Sequence, residues 1–249
     1  MYVLGVLALA QMPWTSHLPQ HGLALDVLRP KFDDVETSLT SAAAFLSGRV
    51  RTGGGFSVRF ELPFAHLGYS GQSSDAIGNP YAGIEKSTGA VTYEMGFRPA
   101  LAPDNQEASL LGFFSDATRF VAFFPHIATL SGRITYRSQS AYGVTVEAGA
   151  GPSVWIPTEG GDVELIIDHF GSLGYRGSKV WGAFGLGGLL LVTGDETGFA
   201  DRTVYQLGAS AGLTQGAVRP AVHVIIPIEG DITDNIDIVI GLGVAIPIK

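Results

Sequence analysis

From residue 218 to residue 249 the sequence alternates with period two. Val218, Pro220, Val222, Val224, Ile226 and Ile228 fill every second place, and after a polar break at 230–235 Ile236, Ile238, Ile240, Leu242, Val244, Ile246 and Ile248 take up the same rhythm. Between them stand Arg219, His223, Asp237 and small residues such as Gly241, Gly243 and Ala245. Successive strand side chains point to opposite faces, so this is a hairpin with one aliphatic face and one small or charged face. Its second strand runs for about a dozen residues, where soluble domains use about five or six. A strand tilted across a bilayer needs about nine to eleven. Turned inward, the aliphatic face suits a sandwich or a lipocalin-like barrel; turned outward, it suits a membrane barrel.

The rest of the chain decides between them. Strands are predicted at 23–32, 44–51, 56–64, 78–87, 90–99, 127–138, 142–156, 162–174, 178–193, 202–214, 217–229 and 235–248, about twelve in all. Their connections alternate between tight ones (52–55, 88–89, 138–141, 175–178, 215–216) and longer ones (33–43, 65–77, 100–126, 157–161, 194–201, 230–234). Short turns at one end and long loops at the other mark an outer-membrane barrel, whereas a sandwich with crossovers has no reason to produce them. The expected fold is therefore all-β: a single antiparallel up-and-down transmembrane β-barrel over residues 23–249. Only 15% of residues are charged, below the roughly 25% usual in soluble domains, yet no apolar run is long enough to cross as a helix.

In the longest connection the period changes. Leu110, Phe113, Phe114, Ala117, Val121 and Phe124 follow helical spacing, Asp104 and Glu107 approximate a capping box, and Pro125 supplies a stop. This predicts an amphipathic helix over 104–124. Residues 1–10, ending in Ala8-Leu9-Ala10, read as a signal peptide, and 11–22, with Pro13, Pro19 and Gly22, as a loose periplasmic leader. The long loops are acidic and the tight-turn end basic. An acidic mouth concentrates cations and suits divalent ions shared with lipopolysaccharide.

If the aliphatic face meets lipid, the other face surrounds a lumen. By alternation that face carries Asp26, Arg49, Arg59, Glu61, Glu85, Glu94, Arg98, Arg133, Glu147, Glu164, Asp168, Arg219, His223 and Asp237. A dry core does not tolerate such a set, but a wet or ion-paired lumen does. Two arrangements satisfy it: a polar conduit, or a salt-bridged interior that closes the barrel.

Signals for catalysis are poor. Gly208-Ala209-Ser210-Ala211-Gly212 matches G-x-S-x-G, but a strand alternation runs straight through it, where a nucleophile elbow needs a turn and a helix. His66, His126, His169 and His223 lack zinc-binding spacing and there is no cysteine, so no catalytic residue, metal or cofactor is expected. A membrane-embedded lipid hydrolase would need a Ser or acidic residue within reach of a histidine such as His169 or His223. The net charge of −8 and the lack of a basic stripe argue against a nucleic-acid partner.

Gly78-Asn79-Pro80 opening a strand after a Gly/Ser loop, the Arg-Val-Arg-Thr-Gly-Gly-Gly hairpin at 49–55 and the repeated hairpin layout resemble bacterial outer-membrane β-barrel proteins. More loosely, they resemble outer-membrane transporters of the phenol meta-pathway type. The resemblance implies residence in the bacterial outer membrane and passive passage of small solutes. Outer-membrane lipid, lipopolysaccharide and the barrel-assembly machinery would then be its partners. A non-conducting structural or adhesive barrel is the alternative. Such barrels usually finish on an aromatic residue, whereas this sequence finishes Ile248-Lys249, which puts its insertion route in doubt.

Overall fold

The computed structural model describes residues 12–32, 37–69, 71–104, 107–193, 202–228 and 235–248. The expected signal peptide lies outside them. The strands are β1 (Gly22–Phe32), β2 (Ala42–Gly53), β3 (Phe56–Tyr69), β4 (Gln72–Ile77), β5 (Tyr81–Thr88), β6 (Val91–Arg98) and β7 (Ile127–Gln139) in the first half. The second half holds β8 (Val144–Pro157), β9 (Glu164–Arg176), β10 (Val180–Leu191), β11 (Thr203–Leu213), β12 (Arg219–Pro227) and β13 (Ile236–Pro247). All pair antiparallel, and β1 closes on β13 from Gly22 opposite Pro247 upward.

Thirteen strands occupy twelve positions. β5 pairs with Phe56–Glu61 of β3 and β4 with Phe64–Tyr69 of the same strand. Two short strands thus share one stave, broken where Gly78-Asn79-Pro80 dips inward. Much of the expected loop at 65–77 is strand for this reason.

The alternation sorts the faces as the hydrophobic pattern requires. Leu25 and Val27 of β1, Val222 and Val224 of β12, and Ile240 and Leu242 of β13 are exposed on the outer wall, while Asp26, Arg49, Glu61, Glu85, Asp168 and His223 are buried. Asp237 breaks the rule. Lys31 faces Ile238 but Phe32 faces Ile236, a bulge that turns Ile236 into the core and Asp237 outward. There Asp237 meets Lys31 at 2.6 Å, both solvent-accessible, so it is not a lumen residue.

Two segments fill the barrel. The first is the longest connection, which forms α1 (Glu107–Ser115) and a 3-10 turn at Phe120–Phe123 rather than one helix over 104–124. The helix stops because the Asp116 carboxylate accepts from the Thr118 backbone N–H and hydroxyl, a local arrangement that competes with helical bonds. α1 packs inside the loop-end mouth, its Ala108 and Leu111 buried with Ala43, Phe45, Ala65 and Ala76 of the inner wall. Phe123 meets Phe45 edge-on at 5.8 Å.

The second is the N-terminal segment. Expected to be a loose leader, residues 12–21 instead carry Trp14, Ser16 and Leu18 into buried positions. Trp14 joins Leu28, Phe170 and Ile225 in the same apolar core as α1.

Candidate functional site

The candidate site is the lumen and the two segments that occupy it. Glycines prepare the seat. A side-chain carbon at Gly208 of β11 would stand 2.2 Å from the Trp14 ring, and one at Gly187 of β10 would stand 2.7 Å from it. On β13 a carbon at Gly243 would stand 1.9 Å from the Ser16 hydroxyl. These strands leave room for the segment that any other residue would fill.

Asp116 ties the two segments together. Its carboxylate, 1% exposed, accepts from Trp14 Nε1 at 3.1 Å, Gln206 Nε2 at 2.8 Å and Arg119 Nε at 2.8 Å. Gln206 in turn accepts from the Ala117 backbone N–H. The N-terminal segment, the loop and strand β11 therefore converge on one carboxylate, satisfied as a buried charge must be.

Asn79 does for the loop what Asp116 does for the segment. Fully buried, its amide donates to the carbonyls of Val121 and Phe124, and its oxygen accepts from the N–H groups of Leu101 and Ala102. The dip at Gly78-Asn79-Pro80 thereby staples both ends of the connection to the wall.

Below the loop the inward charges pair. Glu85 meets Arg49 at 2.8 Å and Arg59 at 3.1 Å, and Arg59 also meets Glu94 at 3.1 Å. Glu61 bridges Arg98 at 2.5 Å and Arg119 at 3.3 Å, while Arg133 holds Asp168 at 2.8 Å. Near the tight-turn end Arg137 and Glu147 stand 3.8 Å apart. Arg219 donates there to the Gly216 carbonyl. Glu164, at the loop end, accepts from the Thr193 hydroxyl. Of the residues expected in the lumen, Arg59, Glu61, Glu94, Arg98, Arg133 and Asp168 line one mid-barrel cavity of about 130 Å³, with Arg119, Tyr81 and Trp155. A second space of about 50 Å³, beside Arg137, Glu147 and Arg176, lies toward the tight turns. Met12 and Thr15 line both. The N-terminal segment is therefore the partition between them.

His223 sits under that partition. Opposite it in register, Ser210 shares a hydrogen bond with Nδ1 at 2.7 Å. On the far side Nε2 lies 3.3 Å from Asp26 and 3.4 Å from the Ser16 hydroxyl. Asp26 also accepts from the Ser16 backbone N–H. The string Ser210–His223–Asp26 contains the elements of nucleophilic catalysis, but all three are buried, His223 at 0% exposed, and Ser16 covers the Asp26 end. Ser210 lies on an uninterrupted strand, without an elbow. Among the described residues no His, Asp and Glu cluster is placed to hold a metal ion.

His17 continues the segment toward the turns. Its ring meets Trp181 edge-on at 6.0 Å and accepts from Arg176. Burial, reinforced by the Arg176 charge, lowers its pKa to about 3, so the imidazole is neutral in the seated segment.

No protein-family model matches the chain, and none of the curated proteins does. Solved structures do. An outer membrane channel from Pseudomonas putida F1 aligns with a TM-score of 0.63 at 11% identity, covering 96% of this chain and 99% of that one. The NanC porin aligns at 0.57 and 8% identity over 90% of this chain and 100% of that one. LpxR from Salmonella typhimurium aligns at 0.55 and 11% identity over 91% of this chain and 100% of its own. The chain thus has the fold of these outer-membrane barrels, each of about its own length.

Proposed function

We propose that this protein is an outer-membrane channel for passive passage of small solutes, shut in the present conformation by its own N-terminal segment. The observation that carries the proposal is the seating of the N-terminal segment, anchored by Trp14 against Gly187 and Gly208, with Met12 and Thr15 between the two lumen spaces. Wide barrels hold water, and side chains alone fill eight-stranded ones. A twelve-position barrel needs added segments to close, and this one has them. The segment is held by a few hydrogen bonds and one indole rather than by strand pairing, so it can leave while the wall stays intact.

Liposome swelling tests this. Trp14→Ala removes the largest side chain of the partition and weakens its seat by about 3–5 kcal/mol. Vesicles carrying the variant swell in small sugars or amino acids several-fold faster than wild-type vesicles. Equal rates at equal protein content contradict the proposal.

A second reading rests on the Ser210–His223–Asp26 string: a lipid hydrolase with Ser210 as nucleophile, active once the N-terminal segment has left the lumen. Ester cleavage by Trp14→Ala protein that disappears in Trp14→Ala/Ser210→Ala would carry it. In the channel account the string is a latch for Ser16, and no turnover occurs.

A further inference from the structure

Three arginines stand inward at the tight-turn end of the lumen. Arg137 of β7, Arg176 of β9 and Arg219 of β12 take half-buried, lumen-side places close to the turns that end or begin their strands. They lie near enough to act on one another: the charges felt by Arg176 are those of Arg137 and Arg219. Arg176 donates to the neutral His17 ring and Arg219 to the Gly216 carbonyl, so neither contact supplies a negative charge. Among the described residues the carboxylate of this cluster is Glu147, 3.8 Å from Arg137.

The rest of the sequence at this end adds no acid. Residues 1–11 contain no Asp or Glu, and neither do the turns at 53–55, 88–89, 140–143, 177–179 and 214–218. The cluster is therefore net positive. Beside it lies the lumen space of about 50 Å³, lined by Arg137, Arg176 and Glu147 together with the hydroxyl-bearing Thr145 and Ser172. Like charges held in a half-buried place repel one another until a counter-charge joins them. Guanidinium forks and hydroxyls around a small space match the oxygens of a carboxylate or phosphate.

We infer that this space seats the oxyanion group of a solute, a carboxylate or a phosphate, on Arg176 and Arg137 in the field of Arg219. The inference deepens the channel reading by giving the class of solute, and the part of the seat in passage rests on that reading. Met12, Thr15 and His17 of the N-terminal segment border the same space, so an anion held there waits at the partition.

Isothermal titration of the refolded full chain in neutral detergent at fixed ionic strength reads the seat directly, with succinate, inorganic phosphate and glucose as probes. Wild type binds succinate or phosphate and ignores glucose. Arg176→Gln weakens anion binding about ten-fold, through loss of a charged hydrogen-bond partner. Arg219→Gln, which keeps both lining arginines and the Arg176–His17 contact, weakens it about three-fold through the lost charge alone. Glu147→Gln removes the competing carboxylate and tightens it by roughly the same factor. Migration on unboiled gels verifies each barrel. Absence of saturable anion binding by folded wild type overturns the site, as does an affinity that none of the three variants moves. Titration needs no conduction, so the two readings fail separately. Anion binding by a protein whose Trp14→Ala vesicles do not swell removes the channel and leaves the seat; swelling without anion binding removes the seat alone.

Discussion

Asp116 is the residue on which the closed lumen turns. Its carboxylate is shared by Trp14, Gln206, Thr118 and Arg119, and removing it leaves buried donors unpaired at about 1–3 kcal/mol each. Asp116→Ala therefore frees the N-terminal segment while the strands stay paired. Protease cleavage within residues 12–21 of the folded barrel rises at least ten-fold over wild type, and unchanged cleavage would refute this role. Nothing periodic marks Asp116 in the sequence, nor Asn79 or Trp14. The inward charges Arg59, Glu94 and Asp168 were legible because alternation places them, and Asp237 was misplaced because one bulge at Lys31/Phe32 reverses the parity. The available signals were a tryptophan inside an apparent leader, an Asp-x-x-Arg pair beyond a short helix and an asparagine between Gly and Pro.

Among the elements, the N-terminal segment has a state that follows pH. His17 is neutral when seated, with a pKa near 3 against 6.5 for a free imidazole. Between those values the released segment binds more protons than the seated one, so the seat is at full strength above about pH 6.5 and weakens as pH falls toward 3. If the protein is the channel proposed above, opening in planar bilayers increases on acidification from pH 7 to pH 5. His17→Gln keeps an acceptor for Arg176 but does not titrate, and it flattens the dependence. A variant as pH-sensitive as wild type would assign the effect elsewhere. The helix in the long connection was half visible: its presence was legible, but neither its length nor its buried face was, since Leu110 is exposed while Ala108, Leu111, Gly112 and Ser115 are buried. Asp116 takes up local hydrogen bonds that end it, and Gly112 lets Phe123 fold back onto it.

At the scale of the whole molecule, the barrel itself was the most legible part, because strand length, alternation and the unequal connections all follow from crossing a bilayer. What filled it was not, since packing between non-repeating segments leaves no pattern in one sequence. In the proposed channel the charged lining sets the selectivity of the open state. Arg98, paired with Glu61 at the mid-barrel cavity, becomes a repulsive carboxylate in Arg98→Glu, so the open pore shifts toward cations by tens of millivolts of reversal potential in a ten-fold salt gradient. An unmoved potential would take Arg98 off the conduction path. The most direct measurement is single-channel recording of wild type and Trp14→Ala side by side at neutral pH. The account predicts brief, rare openings in wild type and long-lived openings of the same or larger conductance in Trp14→Ala. Silence from both proteins after verified insertion, or indistinguishable open times, would contradict it.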